Sequence, residues 1–241
     1  MFAASNIVFF GTCFAIVAGI FLVALLLEKK VCKDIKKLDS THFISYTAIF
    51  SCMAAILMLV EIPLFFAPEF YKVDLSEVPV LICTFYLGPV AGASAELIKV
   101  LLKLLLKGTT TAFVGDFANF VIGCSFVLPA SVIYHAKPGK RNAILGMVIG
   151  TLVLTVFGSA FNGIYLLPKF AQIYGIPIEA LVSAGTAVNK AINSVSTMVF
   201  FAVVPFNLLK GAIVSLLTFL LYKRISPVLH KADAKIKKAK P

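Results

Sequence analysis

The sequence contains few charged residues and no tryptophan. Charged residues make up 14% of the 241 residues, whereas 60% are hydrophobic and the mean hydropathy is +1.00. Soluble domains are about 25% charged and 45–50% apolar. The composition therefore excludes an ordinary soluble domain and predicts an all-α membrane protein with little aqueous structure. Without tryptophan, aromatic anchoring at the membrane interfaces is left to 7 tyrosines and 22 phenylalanines.

Catalytic and metal-binding motifs are also missing. The three histidines, His42, His135 and His230, are scattered along the chain, and neither an H-E-x-x-H nor a G-x-S-x-G sequence occurs. The chain has no G-x-x-x-x-G-K-[ST] loop for ATP hydrolysis, and its five cysteines form no C-x-x-C pair. We therefore predict that the chain is not an enzyme, holds no metal and carries no cofactor.

The basic residues are unevenly placed along the chain. The net charge is +11, which could suggest nucleic acid as a partner, but 15 of the 22 basic residues lie in three short stretches beside apolar segments. This pattern follows the positive-inside rule, so we expect these stretches on the cytoplasmic side, near anionic lipid, and no nucleic-acid partner. The three stretches are Lys29, Lys30, Lys33, Lys36 and Lys37, then Lys137, Lys140 and Arg141, and then Lys223, Arg224, Lys231, Lys235, Lys237, Lys238 and Lys240.

Apolar segments long enough to cross a membrane divide the chain. Residues 7–27 could be a signal peptide, but basic residues follow the segment and no small-residue cleavage site is present, so we interpret it as a retained helix. Six further apolar helices follow, at 43–66, 78–87, 90–106, 117–134, 143–167 and within 184–222, and 168–181 is expected to be an outer loop. The predicted organisation is an extra N-terminal transmembrane helix at 1–28, a cytoplasmic linker at 29–42, a six-helix membrane domain at 43–223 and a basic cytoplasmic tail at 224–241, which is disordered or lies along the membrane.

The last apolar segment contains a charged residue that needs explaining. A charge at membrane depth costs at least a few kcal/mol, so Lys210 is expected to have a binding partner. Asn207 lies about one helical turn away and shares its face. We therefore expect Asn207 and Lys210 to bind a small polar ligand inside the bundle, and Pro205 to bend or start the helix that carries them.

Other polar residues are expected at the same depth, in the outer half of the bundle. Amides provide paired donors and acceptors, and aromatic rings provide flat apolar surfaces, so the set suits a flat heteroaromatic ligand with polar edges. For any single asparagine, hydrogen bonding between helices is the alternative. The predicted binding residues are Tyr71, Asp74, Asn119, Asn162, Tyr165, Asn207 and Lys210.

Two further helix faces invite an interpretation. Glu96, Lys99 and Lys103 are spaced by three and four, so they share a face that looks into the bundle or towards a partner, and a structural ion pair of Glu96 with Lys99 is the simpler alternative. Small residues spaced by four on the first core helix would let a second helix approach closely, from a partner or from the same chain. These are Ala48, Ser51, Cys52 and Ala55.

Residues 43–222 resemble the substrate-binding S-components of energy-coupling factor (ECF) vitamin transporters, most closely those specific for riboflavin. The segments that carry the resemblance are ILMLVEIPLFFAPEFYKVDLSEVPVLI, LGPVAGASAELIKVLLKLLLKGTTTAFVGDFANFVIG, FVLPASVIY and VVPFNLLKGAIVSLLTFLLYKRISPVL. The resemblance implies six core helices in a bacterial plasma membrane, riboflavin bound near the outer face, and docking on a transmembrane coupling protein (the T-component) driven by two ATPase subunits. It also implies that Tyr71, Asn162, Asn207 and Lys210 hold the flavin.

The chain departs from the family pattern at three positions. The docking motif reads Ala48-xxx-Cys52, with a cysteine in place of the usual alanine; Asp116 stands where a glutamate is expected; and Phe113 stands where a small residue is expected. The alternative ligand is another vitamin such as pantothenate, whose carboxylate Lys210 would face. The N-terminal helix lies outside the resemblance and has no predicted function.

Overall fold

A computed structural model describes residues 2–31, 40–68 and 70–239, with side chains from residue 9 to residue 225 of these ranges. The described chain is helical apart from loops and one hairpin of two short strands, which agrees with the predicted all-α class. The helices are α1 (Phe2–Val31), α2 (Ser40–Leu59), α3 (Glu77–Leu87), α4 (Pro89–Lys107), α5 (Val114–Ala136), α6 (Lys140–Phe161), α7 (Leu167–Tyr174), α8 (Ile178–Val188), α9 (Val195–Met198) and α10 (Val204–Ala239). Two π-helical turns, Asn162–Leu166 and Val199–Val203, join α6 to α7 and α9 to α10.

Five described helical stretches are long and apolar enough to cross a membrane. They are Phe9–Val31, Ser40–Leu59, Val114–Ala136, Lys140–Tyr174 and Val195–Ile225. Helix α3 has only 11 residues, fewer than the ~20 that a straight span needs. Helix α4 has 19 residues and carries Glu96, Lys99 and Lys103 along its length.

A turn separates α3 from α4, as the separate helices predicted at 78–87 and 90–106 imply. Gly88 ends α3 with a positive φ of 103°, which favours glycine, and its N–H donates to Thr84 O at 2.9 Å. Pro89 is the first residue of α4, where the missing N–H of proline costs nothing. Gly88 and Pro89 are both buried within the protein. Irregular backbone at membrane depth needs this shielding from lipid.

The largest core cluster joins α2, α3, α4, α5, α6 and α10. Its buried members include Phe50, Leu81, Phe126, Met147 and Val214. Glycines bring α5 and α6 close together, because a Cβ atom at Gly146 would lie 2.6 Å from Ala130 O. This close packing places the ends of α5 and α6 at fixed positions around the site described below.

The region after α6 differs from the expected outer loop at 168–181. The chain continues from the π-helical turn into α7, turns at Gly175 and enters α8 at Ile178. Leu167, Ala171 and Leu181 are buried in one cluster with Ile192 and Met198, among others. Burial of these apolar side chains explains why helices form despite Pro168, Gly175 and Pro177.

The segment 184–222 is also interrupted, between α8 and α9. Ser194 caps α9: its side chain accepts a hydrogen bond from Thr197 N, and the Thr197 side chain accepts one from the backbone N–H of Ser194. This reciprocal arrangement satisfies the free N–H groups of a new helix start. The last continuous helix, formed by α9, the second π-helical turn and α10, therefore begins at Val195, and α8 is not part of it.

The first core helix ends earlier than predicted, at Leu59 instead of residue 66. Ile62–Pro63 then pairs with Lys72–Val73 as a two-stranded antiparallel hairpin, in which Ile62 faces Val73. The second strand of the hairpin is followed directly by Asp74 and then by α3. Strands of two residues leave no detectable pattern in the sequence.

The predicted termini are only partly described. Residues 32–39 of the expected linker lie outside the described residues, whereas α10 continues to Ala239 through most of the expected tail. The tail is therefore helical, so the alternative of disorder was wrong, and a position along the membrane stays a prediction. Helix α1 packs on α4 and α5 through Ala24, which is fully buried, and Glu28 Oε2 accepts a hydrogen bond from Val90 N at 3.1 Å.

Candidate ligand-binding site

A cavity of about 360 Å³ opens between the hairpin, α4, α5, the first π-helical turn and α10. This volume lies within the range of small-molecule sites, about 300–1,000 Å³. The walls combine aromatic rings with many polar and charged groups. The lining residues include Phe70, Tyr71, Asp74, Lys103, Thr110, Thr111, Asp116, Asn119, Asn162, Phe170, Tyr174, Phe206, Asn207 and Lys210.

The cavity brings together six of the seven residues that the sequence singled out, namely Tyr71, Asp74, Asn119, Asn162, Asn207 and Lys210. Tyr165 does not line it. Its ring stacks on that of Phe161 at a centroid distance of 5.2 Å, and it packs in a separate cluster with Val114 and Leu166. Tyr165 follows Asn162 within the π-helical turn, whose hydrogen bonds reach five residues back. The spacing of three that would align side chains in an α-helix does not align them here.

Tyr71 and Asn162 form one polar wall of the cavity. The Tyr71 hydroxyl donates to Asn162 Oδ1 at 3.2 Å, and Asn162 Nδ2 donates to Gly158 O at 2.9 Å. Burial raises the pKa of the Tyr71 phenol, so the hydroxyl stays protonated and remains a donor. The Tyr71 ring lies 5.4 Å from the Phe206 ring, which gives this wall an aromatic surface as well.

Asn207 is held by α6. Its Nδ2 donates to Ser159 Oγ at 3.1 Å, and its side chain is only 3% exposed. Gly158 makes room for it, since a Cβ atom at that position would lie 3.2 Å from Asn207 Nδ2. Sequence reasoning did not identify Ser159 or Gly158, because small residues are common in membrane helices and carry no signal of their own.

Lys210 has an anionic partner within the chain. Its Nζ lies 3.0 Å from Asp74 Oδ2 and 3.9 Å from Glu77 Oε1. Asp74 Oδ1 also accepts hydrogen bonds from the backbone N–H and the hydroxyl of Ser76. The sequence predicted both Asp74 and Lys210 as ligand-binding residues but did not predict that they pair with each other.

The Asp74 carboxyl is ionised in this environment. Burial raises its pKa, but the charges of Lys210 and Lys99 and the hydrogen bonds from Ser76 outweigh this effect and lower the pKa to about 2. The ion pair with Lys210 is therefore present throughout the neutral range, and it removes much of the cost of holding Lys210 at this depth.

A second ion pair, between Lys103 and Asp116, also lines the cavity. Lys103 Nζ lies 2.6 Å from Asp116 Oδ1 and donates to Gly108 O at 3.2 Å. At the more exposed end, Glu61 Oε2 lies 3.2 Å from Lys72 Nζ and 3.0 Å from Lys107 Nζ. The sequence placed Lys103 on a shared face with Glu96 and Lys99, but it did not identify Lys103 as a cavity residue. The spacing of four residues between Lys99 and Lys103 was the signal in the sequence that could have identified Lys103.

The second π-helical turn determines how α10 presents its polar residues. The helix is continuous from α9 through Val199–Val203 into α10, and Val204 N–H donates to Val199 O. Of the two roles expected for Pro205, the start of the helix was therefore wrong, and a bend there stays a prediction. A wider turn directly before Pro205 accommodates a residue that cannot donate to the helix ladder. Phe206, Asn207 and Lys210 follow within the next two turns and line the cavity.

The predicted docking residues separate into two groups. Ala48 and Cys52 are exposed on α2, next to exposed apolar residues such as Ile49 and Met53. Ser51 and Ala55 are buried inside the chain, with 0% and 1% exposure. The exposed part of the predicted surface is therefore reduced to Ala48 and Cys52, because the other two residues pack against the bundle.

Comparison with known proteins identifies similar sequences and one similar fold. The family model for the ECF transporter, substrate-specific component, matches residues 42–222. The riboflavin transporter RibU of Staphylococcus aureus is 34% identical over 181 residues, which cover 75% of this chain and 88% of that protein. The riboflavin transporter FmnP of Bacillus subtilis is 28% identical over 182 residues, covering 75% and 90%. A solved structure of the S component of a bacterial ECF transporter aligns with a TM-score of 0.62 at 33% identity, covering 79% of this chain and 99% of that one.

Proposed function

The chain belongs to the family of ECF transporter substrate-specific components, and we propose that riboflavin is the ligand of its cavity. The family is a component of transporters, so the chain is not an enzyme, and it is a multi-pass protein of the bacterial membrane. Riboflavin enters as a transported substrate, not as a cofactor. Relatives named riboflavin transporters match this chain over most of their own length, which supports riboflavin as the cargo.

One observation carries this proposal: Tyr71, Asn162, Asn207 and Lys210 converge on a single cavity. The amide and phenol groups provide donors and acceptors for the polar edge of a heteroaromatic ring. Aromatic side chains, including Phe206, provide apolar surfaces for its faces. Polar groups at fixed positions among aromatic and apolar side chains are typical of sites that fix the orientation of a small ligand.

We infer partners from the family and from the exposed face of α2. A coupling protein of the membrane, together with two ATPase subunits, would use the small Ala48-xxx-Cys52 motif, which permits close approach of a second helix. Helices α2 to α6, with α10, would form the six core helices at 43–223, and α1 would be the additional N-terminal span. The α7 and α8 helices would lie above the core at the cavity end.

A different vitamin with a carboxylate, such as pantothenate, is the second candidate. It would place an anion beside Lys210, which already has Asp74 at 3.0 Å and Glu77 at 3.9 Å. A third carboxylate at this position would be repelled by the first two. The ion pair therefore favours a neutral cargo such as riboflavin.

The test is the binding of flavin by the purified full-length protein. We expect a yellow preparation with flavin absorption, and saturable quenching of riboflavin fluorescence at one ligand per chain. Pantothenate should not displace the flavin. A colourless preparation that fails to bind added riboflavin but binds pantothenate would support the second candidate instead.

A further inference from the structure

A cluster of five buried charged residues extends from the cavity wall into the bundle. It comprises Asp74, Glu77, Glu96, Lys99 and Lys210, that is, three carboxyl groups and two ammonium groups. Asp74 and Lys210 line the cavity, whereas the other three residues lie behind it. Glu96 and Lys99 are completely buried and Glu77 is 3% exposed. The function proposed above uses only the two residues at the wall.

The cluster is a continuous series of ion pairs. Lys99 Nζ lies 2.7 Å from Glu96 Oε2 and 2.8 Å from Glu77 Oε1. Lys210 Nζ lies 3.9 Å from the same Glu77 oxygen and 3.0 Å from Asp74 Oδ2. Glu77 Oε1 is therefore located between the two lysines and can attract either of them. The predicted ion pair of Glu96 with Lys99 is confirmed, as part of this larger network.

The charges of the cluster do not balance if every group is ionised. Three carboxylates and two ammonium groups leave one negative charge in an interior that stabilises uncompensated charge poorly. Two observations show where a proton would fit. Glu77 Oε2 and Glu96 Oε1 have no hydrogen-bond donor among the described residues. Glu77 Oε1 and Glu96 Oε2 lie 2.8 Å and 2.7 Å from the same Lys99 Nζ, so the two carboxyl groups are close together and one proton can serve both.

We propose that Glu77 and Glu96 share one proton, and that Lys99 is a positioning residue that keeps Glu77 from drawing Lys210 away from the cavity. The shared proton makes the cluster neutral, with one negative charge for each lysine. Lys99, on the side of Glu77 away from the cavity, neutralises the Glu77 charge. Asp74 therefore remains the main partner of Lys210, and the Lys210 ammonium group stays at the cavity wall. The role of Lys99 rests on the proposed function, because it concerns the affinity for riboflavin.

The shared proton is tested with glutamine variants. Either Glu77→Gln or Glu96→Gln removes one carboxyl group and leaves one carboxylate for each lysine, so each single variant should retain the thermal stability and riboflavin affinity of the original protein. The double variant leaves Lys99 buried without a carboxylate, so its loss of stability should far exceed the sum of the two single losses. Losses that simply add, or a large loss in either single variant, would contradict the proposal.

An infrared spectrum provides a second measurement of the proton that does not depend on riboflavin. The original protein should show the carbonyl band of a buried protonated carboxylic acid at neutral pH, and the band should shift in deuterated water. Both single glutamine variants should lose it, because the remaining glutamate is then ionised beside Lys99. A band that persists in both variants would show that the proton is elsewhere.

The positioning role is tested by Lys99→Met, which removes a residue that does not line the cavity. Glu77 then has Lys210 as its nearest cation, so riboflavin affinity should fall by roughly tenfold at alkaline pH, where Glu77 is ionised, and recover as the pH falls. The charged and titratable groups around Glu77 are Asp74 in the preceding loop, Glu96 and Lys99 on α4, Cys124 on α5 and Lys210 on α10.

The matched control is Lys99→Met combined with Glu77→Gln. This variant contains no Glu77 carboxylate to compete for Lys210, so it should bind riboflavin like the original protein at every pH. Unchanged binding by Lys99→Met alone, or a loss that Glu77→Gln does not rescue, would overturn the positioning role. If the Lys99→Met protein does not fold, the combined variant still tests the positioning role of Lys99. Weak or pH-dependent riboflavin binding by the combined variant would also overturn that role. Absence of riboflavin binding by the original protein would instead overturn the proposed function.

Discussion

Asn207 and Lys210 are each held by a partner on another segment of the chain. Ser159 on α6 accepts a hydrogen bond from the Asn207 amide. Asp74, which precedes α3, forms an ion pair with the Lys210 ammonium group. Both side chains are thus fixed before a ligand arrives, which lowers the entropy that binding must remove. The two residues nevertheless differ, because removal of Lys210 also leaves a buried carboxylate without its partner.

We expect Asn207→Ala to weaken riboflavin binding by about 1–3 kcal/mol, since a ligand group that loses its hydrogen-bond partner in a buried site carries a cost of this size. Fluorescence quenching by the purified variant measures the affinity. Tyr165→Phe is the control and should bind normally, because Tyr165 packs outside the cavity. Equal affinities for Asn207→Ala and the original protein would refute the assigned orientation of α10.

The role of Lys210 can be separated from that of its ion pair. Lys210→Met should lower both thermal stability and riboflavin affinity, because Asp74 is left buried and unpaired. Adding Asp74→Asn should restore most of the stability, while riboflavin still binds weakly without the ammonium group. Thermal unfolding and ligand titration of the two variants distinguish these effects. Recovery of full affinity in the double variant would show that Lys210 does not contact the ligand.

The sequence identified six of the cavity residues, because amides and charges are rare within apolar helices. Asn162, Asn207 and Lys210 could be selected on this basis without knowledge of the packing. Ser159 and Gly158 could not, because their importance depends on their distance from Asn207 across two helices. The pairing of Lys210 with Asp74 was hidden for the same reason, since 136 residues separate them.

At the scale of elements, two short turns near the cavity contain residues with left-handed backbone. Ala112 and Phe113, with φ of 47° and 68°, precede α5, and Gly175, with φ of 64°, ends α7. A residue with a side chain is strained in this conformation by roughly 1–2 kcal/mol. Phe113 nevertheless occupies it, where the family resemblance leads us to expect a small residue, and its ring packs at 6.1 Å from that of Phe10.

We expect Gly175→Ala to lower the stability of the protein by about 1 kcal/mol, from backbone strain alone. No atom lies within 4 Å of the position that the new Cβ atom would occupy, so a clash cannot contribute. Gly139→Ala is the matched control, because that position is equally open and its φ of 166° is ordinary extended backbone. Thermal unfolding should show a decrease for the first variant alone, and equal decreases for both would rule out this explanation.

The helices α7 and α8 show where local sequence signals are insufficient. Pro168, Gly175 and Pro177 all favour turns, and on that basis 168–181 was expected to be a loop. The segment instead buries Leu167 and Ala171 on one side of α7, and the burial of these side chains outweighs the local preference. Such tertiary contacts cannot be deduced from a window of a dozen residues.

For the whole molecule, the cavity lies at the opposite end of the bundle from the described basic residues that follow α5 and lie near residue 223 of α10. Helix α5 begins near the cavity and ends beside Lys137, and α10 passes from the cavity at Lys210 to Lys223 at its other end. From the positive-inside rule we expect the basic end in the cytoplasm and the cavity facing outward. This orientation suits uptake of a solute from outside the cell.

The N-terminal helix can be tested by deletion of residues 1–39. Among the described residues, α1 contributes none to the cavity lining and packs on α4 and α5. We therefore expect the shortened protein to bind riboflavin with nearly unchanged affinity and to unfold at a lower temperature, because the buried contacts of Ala24 and the hydrogen bond from Val90 N to Glu28 are lost. A loss of binding by a shortened protein that remains folded would assign α1 a role in the site.

The π-helical turn before Pro205 contains the equivalent of one extra residue in an otherwise regular helix. Deletion of a single residue within Val199–Val203 would convert it into an ordinary α-helical turn, and the helix beyond it would keep nearly the same rotation relative to α9, because the wider turn absorbs the extra residue. Asn207 would still face Ser159, and Lys210 would still face Asp74. The loss or gain of one codon at this position can therefore change the length of the chain without changing which helix face meets the cargo.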